Sequence, residues 1–277
     1  MLKIEPIDIQ MTLGDSIRMV DGFLERSTPM LTGQEQVWGA WWEGQLAGYA
    51  AVSAVAGLPH LFSLWGGVIP QYRRRGIGRA LLERVLAEGW WDKATDLSAA
   101  VEAPHEPAAA FLRANGFVPE HEEVLLALPQ GVRLPTAVFP AGFELVLRPP
   151  NANTLFAGMY KKAFKGLPWY QPYDAQQLPP FHELFFLEHK LGFAGVAALI
   201  AHRDGRWQVE PLAILPAYQR QGLGRQLLLA VGNWVQSQSS GQLLIGTWAT
   251  HTAALTLYQS LGFVPESAVH YWQRPLG

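Results

Sequence analysis

Apolar residues along this chain form paired runs that are typical of β-hairpins. The run VWGAWW (37–42) is followed closely by LAGYAAVSAV (46–55), and HELFFLEH (182–189) is followed by LGFAGVAALIA (191–201). Each run has the length of a strand, and only a brief turn separates it from its partner. The pattern predicts one antiparallel hairpin in each half of the chain.

After each hairpin, the predicted elements follow in the same order in both halves of the chain. A strand (HLFSLWGGVI or RWQVEPLAIL) leads into a glycine-rich turn that opens a helix. In the second such helix Leu223, Leu227 and Val231 fall at helical spacing, which predicts one buried face. A short strand, a helix ending near Gly116 or Gly262, and a last strand follow. We expect an α+β fold with a mixed, mostly antiparallel sheet flanked by helices.

The two halves are copies of each other. PQYRRRGIGRALL, which begins at Pro70, matches PAYQRQGLGRQLL, which begins at Pro216, at eight of 13 positions, and the offset is 216 − 70 = 146. GFVPE occurs at Gly116 and again at Gly262, at the same offset, 262 − 116 = 146. A period of this length is too long for a solenoid repeat and fits a domain. The chain is therefore predicted to contain two tandem domains.

The repeat also predicts where the domains end. Gly277 corresponds to Gly131, and the stretch from Pro129 to Gly142 is rich in proline and glycine, as linkers are. We expect an N-terminal domain at about 1–131 and a C-terminal domain at about 142–277.

Composition narrows the possible functions. The chain has 21 Lys and Arg against 23 Asp and Glu, so a nucleic-acid partner is not expected. It has no cysteine, which excludes disulfides, cysteine-based metal sites and thiol nucleophiles. Its eight histidines show no spacing typical of metal ligands, so no metal is expected. No signal pattern or membrane-length apolar run is present, and we expect a cytoplasmic protein.

The glycine-rich turn is the part of the repeat that indicates chemistry. Two glycines open the helix in each copy, where unpaired N–H groups and the helix dipole favour a phosphate. Arginines beside the turn add charged contacts. A dinucleotide fold would need a further glycine where Leu81 and Leu227 stand, and no Gly-Lys-Ser/Thr sequence of a P-loop is present. The predicted ligand is a diphosphate or polyphosphate.

The turn and the last helix together resemble a known family. The sequences Arg73-x-x-Gly76-x-Gly78 and Gln219-x-x-Gly222-x-Gly224 resemble the pyrophosphate-binding motif of the GNAT N-acetyltransferases. The second copy also has His251-x-x-Ala254-x-x-x-Tyr258-x-x-x-Gly262-Phe263, similar to the family's last-helix signature, although the family commonly has Asn where His251 stands. The resemblance covers both halves and identifies the chain as a tandem GNAT protein.

This resemblance implies acetyl-CoA as co-substrate and a cleft between two splayed strands in each domain. The strand before the loop would hold the pantetheine arm, and the loop would hold the pyrophosphate. The residues that correspond to these positions are Ala213, Ile214, Gln219, Arg220, Gln221, Gly222, Leu223, Gly224, Arg225 and His251 in the second copy, and Val68, Arg73, Arg74, Arg75, Gly76, Ile77, Gly78 and Arg79 in the first.

The resemblance also assigns catalytic roles, and these differ between the copies. Tyr258 corresponds to the family's general acid, and Glu210 lies on the strand that enters the cleft, where a general base is expected. The first copy has Leu112 and Leu64 at the matching positions, and leucine cannot transfer a proton. We expect the C-terminal domain to be catalytic and the N-terminal domain to be binding-only or degenerate. The alternative bases are Gln208, His251 and His270.

The expected reaction is transfer of an acetyl group to a primary amine of a small molecule or peptide, by direct attack in a ternary complex. The aromatic residues Trp169, Tyr170 and Tyr173 favour an apolar or cationic amine, and core packing is the alternative role for them. The alternative functions are a non-catalytic acyl-CoA sensor or scaffold and, more remotely, a nucleotide-binding module. Either a monomer with pseudo-dimeric domains or a homodimer is compatible with the repeat.

Overall fold

A computed structural model describes residues 1–7, 35–55, 58–88, 94–167, 170 and 172–276. Apolar runs and amphipathic segments of the N-terminal half form the predicted strands and helices. Its elements are β1 (Leu2–Pro6), β2 (Gln36–Trp42), β3 (Gln45–Val55), β4 (Leu58–Val68), α1 (Ile77–Ala87), β5 (Asp96–Glu102), α2 (Glu106–Ala114) and β6 (Val118–Ala127).

The C-terminal half repeats this order and has a helix between its first strand and its hairpin; the matching residues of the N-terminal half, 8–34, lie outside the described residues. Its elements are β7 (Phe143–Leu147), α3 (Ala152–Phe164), β8 (Glu183–His189), β9 (Gly192–Ala201), β10 (Trp207–Ile214), α4 (Leu223–Gln238), β11 (Leu243–Trp248), α5 (Thr252–Ser260) and β12 (Val264–Pro275). Both predicted hairpins are present, as β2–β3 and β8–β9. The sequence patterns did not predict β1, β7 or α3.

The chain divides into two compact units. The N-terminal unit consists of Met1–His121 and His270–Gly277, and the C-terminal unit of Glu122–Val269. The chain therefore leaves the first unit within β6 and returns to it within β12. The predicted domains, 1–131 and 142–277, divide the chain at one point of the sequence, whereas these units exchange their last strands.

In the N-terminal unit the strand order is β1-β2-β3-β4-β5, followed by the C-terminal end of β12. The β4–β5 pair is parallel, and the β1–β2, β2–β3 and β3–β4 pairs are antiparallel. Trp272, brought by β12, is 3% exposed and lies in the core with Leu97 and Phe117. The backbone N–H of Leu276 donates to the carbonyl of Thr95 at 2.8 Å, which fixes the returning segment to this unit.

In the C-terminal unit the strand order is β6-β11-β10-β9-β8-β7. The β10–β11 pair is parallel, and the others are antiparallel. The helices α4 and α5 cover one face, where Leu227, Val231 and Val235 are fully buried. On the opposite face α3 packs through Phe156 on the aromatic and aliphatic side chains of β8 and β9. No helix in the described part of the chain is long and apolar enough to cross a membrane.

Candidate active site

The glycine-rich loop has the same backbone in both units. After a short 3-10 turn, Arg74 and Arg220 adopt φ of 61° and 62°, and Gly76 and Gly222 adopt φ of 79° and 77°. The first helical hydrogen bonds are accepted by the carbonyls of these two glycines. The N–H groups of the first helical residues therefore have no acceptor within the helix. A Cβ on either glycine would enter open space, so the loop leaves room in front of both helix N-termini.

The first residue of each motif ties the loop to the preceding strand. Arg73 donates through Nε to the carbonyl of Val68 at 3.0 Å, and Gln219 donates through Nε2 to the carbonyl of Ile214 at 2.9 Å. Arginine and glutamine thus make the same contact, which explains why either residue fits at this position. The contact also means that the Val68 and Ile214 carbonyls, predicted to face pantetheine, already accept a hydrogen bond.

The other predicted loop residues take different positions in the two units. Leu223 and Ile77 are 1% exposed and anchor their helices in the cores, so only their backbones can meet a ligand. Arg225 donates to Ser260 Oγ at 3.1 Å, and Arg79 pairs with Glu83 at 2.8 Å.

Two further loop side chains bond or pack locally. Gln221 donates to the carbonyl of Ala217 at 3.4 Å. The guanidinium carbon of Arg75 lies 5.2 Å from the Trp42 ring centroid, within cation–π range.

The parallel strands beside each loop separate, as the fold prediction requires. In the C-terminal unit β10 and β11 pair only from Trp207–Leu243 to Val209–Ile245, after which each strand continues without the other. The β10–β9 register shifts between Val209 and Leu212, and Ala213 and Ile214 then pair with β9. In the N-terminal unit the β4–β5 pairing ends at Leu64–Ala99. A cleft therefore opens at the register of Glu210 in one unit and just beyond Leu64 in the other.

Tyr258 lies on α5 and is 6% exposed. Burial raises the pKa of its hydroxyl well above the ordinary value of 10.0, and the negative charge of Glu210 raises it further. The hydroxyl is therefore protonated throughout the physiological pH range. Glu210 therefore lies within electrostatic range of Tyr258, although the two residues belong to different elements.

Glu210 lies in the register shift of β10. Its side chain is open to solvent, yet the surrounding protein desolvates its carboxylate and raises its pKa; the charge of Glu123 raises the pKa further. Both properties fit a carboxylate that lines a cleft, which water enters from one side. A hydrogen bond from Gln208 and the charge of His202 oppose the shift.

A chain of hydrogen bonds orients the Glu210 carboxylate. His202 Nε2 lies 2.8 Å from Gln208 Oε1, an atom that only accepts hydrogen bonds, so this nitrogen carries the proton. Gln208 Nε2 in turn donates to Glu210 Oε2. Gln208 was an alternative base in the sequence, but its amide has no basic site, and here it holds the carboxylate in place.

The two histidines considered as bases belong to other elements than Glu210. His251 precedes α5, and its Nδ1 is 3.4 Å from Thr247 Oγ1. His270 belongs to the N-terminal unit, whereas Glu210 and Tyr258 belong to the C-terminal unit. No group of three or more metal-ligating side chains occurs in the residues that the structure describes.

Two residues near Glu210 were not identified from the sequence. Glu123 lies on β6 opposite Trp248, at the end of β11 that diverges from β10. Tyr160 is a buried residue of α3, and its pKa is raised by burial, then by Tyr173 and Tyr170, and least by Glu210. The helical spacing of Phe156, Tyr160 and Ala163 was a signal for α3, but nothing in the sequence connected this helix with the cleft.

At the positions that correspond to Tyr258 and Glu210, the N-terminal unit has leucines. Leu112 is 5% exposed and packs in the core, and Leu64 occupies the strand position that corresponds to Glu210. The ring of Phe111 lies 3.3 Å from where a Cβ on Gly78 would be, whereas at Gly224 only Ile214 is near, at 3.6 Å. The N-terminal cleft thus has aliphatic and aromatic side chains where the C-terminal cleft has ionisable ones.

A glycine loop at a helix N-terminus beside two separating parallel strands, present twice, defines a class of transferase folds. The model of the acetyltransferase (GNAT) domain matches residues 33–119 and 180–265, more than half of the chain. The chain therefore belongs to the GNAT acetyltransferase family, and the predicted family, α+β fold and N-acetyltransferase class are confirmed. Members of this family generally use acetyl-CoA.

Curated relatives match most of the chain. It is 28% identical over 235 residues to the mycothiol acetyltransferase of Renibacterium salmoninarum, covering 79% of this chain and 69% of that protein. It is 29% identical over 240 residues to the mycothiol acetyltransferase of Nocardia farcinica, covering 80% and 77%. A shorter match, 42% identical over 52 residues, is to the ribosomal protein bS18-alanine N-acetyltransferase of Escherichia coli.

Solved structures match the tandem fold. A tandem GNAT protein from the clavulanic acid biosynthesis pathway superposes with a TM-score of 0.74 at 16% identity, covering 100% of this chain and 99% of the other. A GCN5-related N-acetyltransferase from Sphaerobacter thermophilus superposes with a TM-score of 0.72 at 16% identity, covering 96% and 86%. At these identities the likeness supports the fold alone.

Proposed function

We propose that this chain transfers the acetyl group of acetyl-CoA to a primary amine, and that the C-terminal unit performs the reaction. One observation carries the proposal. The C-terminal unit has the glycine loop, the separated strands β10 and β11, and two ionisable residues within electrostatic range of each other, Glu210 and Tyr258. The N-terminal unit has the first two features without the third.

The loop fits the diphosphate of CoA. The N–H groups at the start of α4 have no helical acceptor, and the space before Gly222 is open, so an anion can approach the positive end of the helix. Arg220 and Arg225 add positive charge at this end. Ala213 and Ile214 would line the pantetheine arm along the free side of β10. When bound, acetyl-CoA supplies an acetyl thioester that an amine can attack.

Glu210 and Tyr258 have the protonation states that direct transfer needs. The Glu210 carboxylate, held by Gln208, accepts a proton from the acceptor's ammonium group, directly or through water, and the neutral amine then attacks the thioester carbon as the C–S bond breaks. Its raised pKa makes it a better base than an ordinary carboxylate. Tyr258 keeps its proton at neutral pH and can give it to the departing sulfur.

The acceptor is proposed to be a small-molecule amine. The relatives that match most of the chain carry the name mycothiol acetyltransferase, whereas the relative named for a ribosomal protein matches 19% of the chain. A peptide amine is the second class to test. The N-terminal unit is proposed to be binding-only or degenerate, because Leu64 and Leu112 replace the proton-transferring pair.

The test is acetyl transfer from acetyl-CoA to a panel of amino sugars, polyamines, aromatic amines and short peptides, with the variant Tyr258→Phe. We expect kcat to fall about 10²- to 10⁴-fold, the contribution typical of a general acid, while KM for acetyl-CoA changes little. In the unchanged protein kcat should not decline as the pH approaches 10, because the pKa of Tyr258 lies above that value.

The matched control is Tyr72→Phe, which removes a hydroxyl that donates to Gln45 in the N-terminal unit. It should leave kcat unchanged. Equal kcat for Tyr258→Phe and the unchanged protein would remove Tyr258 as the acid. Tight binding of acetyl-CoA without acetylation of any amine in the panel would instead support the sensor function.

A further inference from the structure

Three tyrosines form an aromatic wall on the α3 side of the C-terminal unit. Tyr160 is a buried residue of α3, and Tyr170 and Tyr173 lie in the segment that follows this helix. The Tyr160 ring centroid is 4.6 Å from that of Tyr173 and 5.7 Å from that of Tyr170, in edge-on and stacked arrangements. Trp169, also singled out from the sequence, lies outside the described residues.

This wall adjoins the strand that carries Glu210. Tyr173 packs in the same apolar cluster as Ala213 and Leu215, which follow Glu210 along the chain. The negative charge of Glu210 contributes to raising the pKa of Tyr173 to about 12, after burial as the main cause. Burial is also the main cause of the raised pKa of Tyr160, followed by Tyr173 and Tyr170, and Glu210 adds the smallest contribution. Glu210 thus acts on tyrosines of the α3 face and on Tyr258 of the opposite face, as expected at an opening between separated strands.

The charges that act on Glu210 are one carboxylate and one histidine. Glu123 raises the pKa of Glu210, and His202 lowers it, next to Gln208. The lysines of α3, Lys161 and Lys162, are exposed on its outer side. Glu210 and Glu123 therefore place two carboxylates at this cleft, beside the imidazole of His202.

We propose that Tyr160, Tyr170 and Tyr173, together with Glu210 and Glu123, form an acceptor pocket for an amine that has an apolar face and no acidic group beside the nitrogen. The inference rests on the proposed function and adds a substrate class to it: amines with neutral or cationic surroundings are accepted, and free amino acids and acidic peptides are rejected.

The chemistry of the pocket explains both why such amines are accepted and why acidic acceptors are rejected. Aromatic faces attract ammonium groups and pack well on apolar surfaces, and the carboxylates attract the ammonium form of the acceptor. An acceptor carboxylate would instead face Glu210 and Glu123 with a like charge, and water in the cleft would screen the repulsion only in part. The neutral tyrosine hydroxyls can donate hydrogen bonds to uncharged oxygens of the acceptor.

The experiment compares L-phenylalaninol with L-phenylalanine as acceptors at saturating acetyl-CoA. The two compounds have the same aromatic ring and amino groups of similar basicity. Phenylalaninol has a CH2OH group where phenylalanine has a carboxylate. We expect kcat/KM for the alcohol to exceed that for the acid by on the order of tenfold or more. Equal use of the two compounds would overturn the proposal.

Two pairs of variants locate the preference. Glu123→Gln should reduce the preference for the alcohol several-fold, whereas Glu122→Gln, on the other face of β6, should not. Tyr173→Leu should raise KM for phenylalaninol several-fold, and Phe193→Leu, which changes an aromatic residue that lies edge-on to Phe186 on the same face of the sheet, should not. Equal effects within either pair would contradict the assignment of the pocket.

The outcomes also separate this inference from the proposed function. If neither compound is acetylated but another amine is, both are tested as competitive inhibitors of that reaction. Equal inhibition, or none, then overturns the pocket. If no amine is acetylated, the proposed function fails; stronger calorimetric binding of phenylalaninol than of phenylalanine would still support the pocket, and equal binding would overturn it.

Discussion

At the scale of single residues, Glu210 combines access to solvent with an environment that disfavours its charge. The carboxylate has a hydrogen bond from Gln208, but desolvation and the charge of Glu123 outweigh it, and the pKa is raised. A carboxyl that binds its proton more tightly in the folded chain than in the unfolded chain costs stability when it ionises. The features that make Glu210 a good base therefore work against the stability of the unit.

This conflict predicts that Glu210→Gln stabilises the protein while it reduces turnover. The amide has a similar shape and no charge, so Tm at neutral pH should rise, on the order of 1–3 °C because water partly screens this site. The gain should shrink as the pH falls through the raised pKa, and it should vanish below the ordinary value of 4.5, where Glu210 is protonated in both states. Calorimetric melting at several pH values measures it; a lower Tm for the variant at neutral pH would contradict the argument.

The sequence identified some residues of this site and could not identify others. Comparing the two copies picked out Glu210 and Tyr258, because leucine stands at both corresponding positions. No comparison of this kind between the two copies drew attention to Glu123 or Tyr160. Glu123 reaches the cleft only because β6 pairs with β11, more than 100 residues later, and long-range pairing of this kind leaves no mark in local sequence.

At the scale of elements, the loop shows how strongly one motif determines local structure. The two copies agree in φ within a few degrees at all four positive-φ positions of the loop, although arginine replaces glutamine at the first residue of the motif. The glycines are needed for backbone conformation as well as for space, since side chains are unfavourable at these φ values. Elements of only five residues, β1 and β7, lacked a comparable signal and were not predicted.

The loop prediction is tested by placing a bulky negative charge before each helix. Gly222→Glu should abolish acetyl-CoA binding to the C-terminal unit and acetyl transfer, because the side chain would occupy the open space and oppose an anion. Gly76→Glu, the same change in the N-terminal unit, should leave kcat unchanged. Calorimetric titration with acetyl-CoA would count the sites that each variant loses.

Gly205→Glu is the matched control for backbone strain, since Gly205 has φ of 85° and equally open surroundings outside the loop. It should bind acetyl-CoA normally. Loss of turnover in Gly76→Glu, with turnover retained in Gly222→Glu, would move catalysis to the N-terminal unit.

At the scale of the whole molecule, the exchange of the last strands could not be predicted from the repeat. β6 and β12 begin at corresponding positions, Val118 and Val264, and both start with Val-Pro-Glu. Because the strands are copies, the apolar pattern alone fits an exchanged and an unexchanged arrangement equally well. The repeat therefore predicted two copies of one unit, but the assignment of the last strands to the units depended on pairing that only the structure shows.

The exchange predicts that a substitution near the end of the chain destabilises the beginning. Trp272 is buried in the N-terminal core, and Arg274 donates to the carbonyl of Asn115 at 2.9 Å. Trp272→Ala should cost about 3–5 kcal/mol and speed amide hydrogen exchange in β2, β3 and β4. Exchange in β8 and β9 should change less.

Gln273→Ala, one position along and on the other face of the strand, is the control and should have little effect. If Trp272→Ala instead accelerated exchange mainly in β8 and β9, residues 270–277 would belong to the C-terminal unit, as a division of the chain at the linker implies. Faster exchange mainly in β2–β4 would mean that a fragment ending at residue 131 lacks part of its own core.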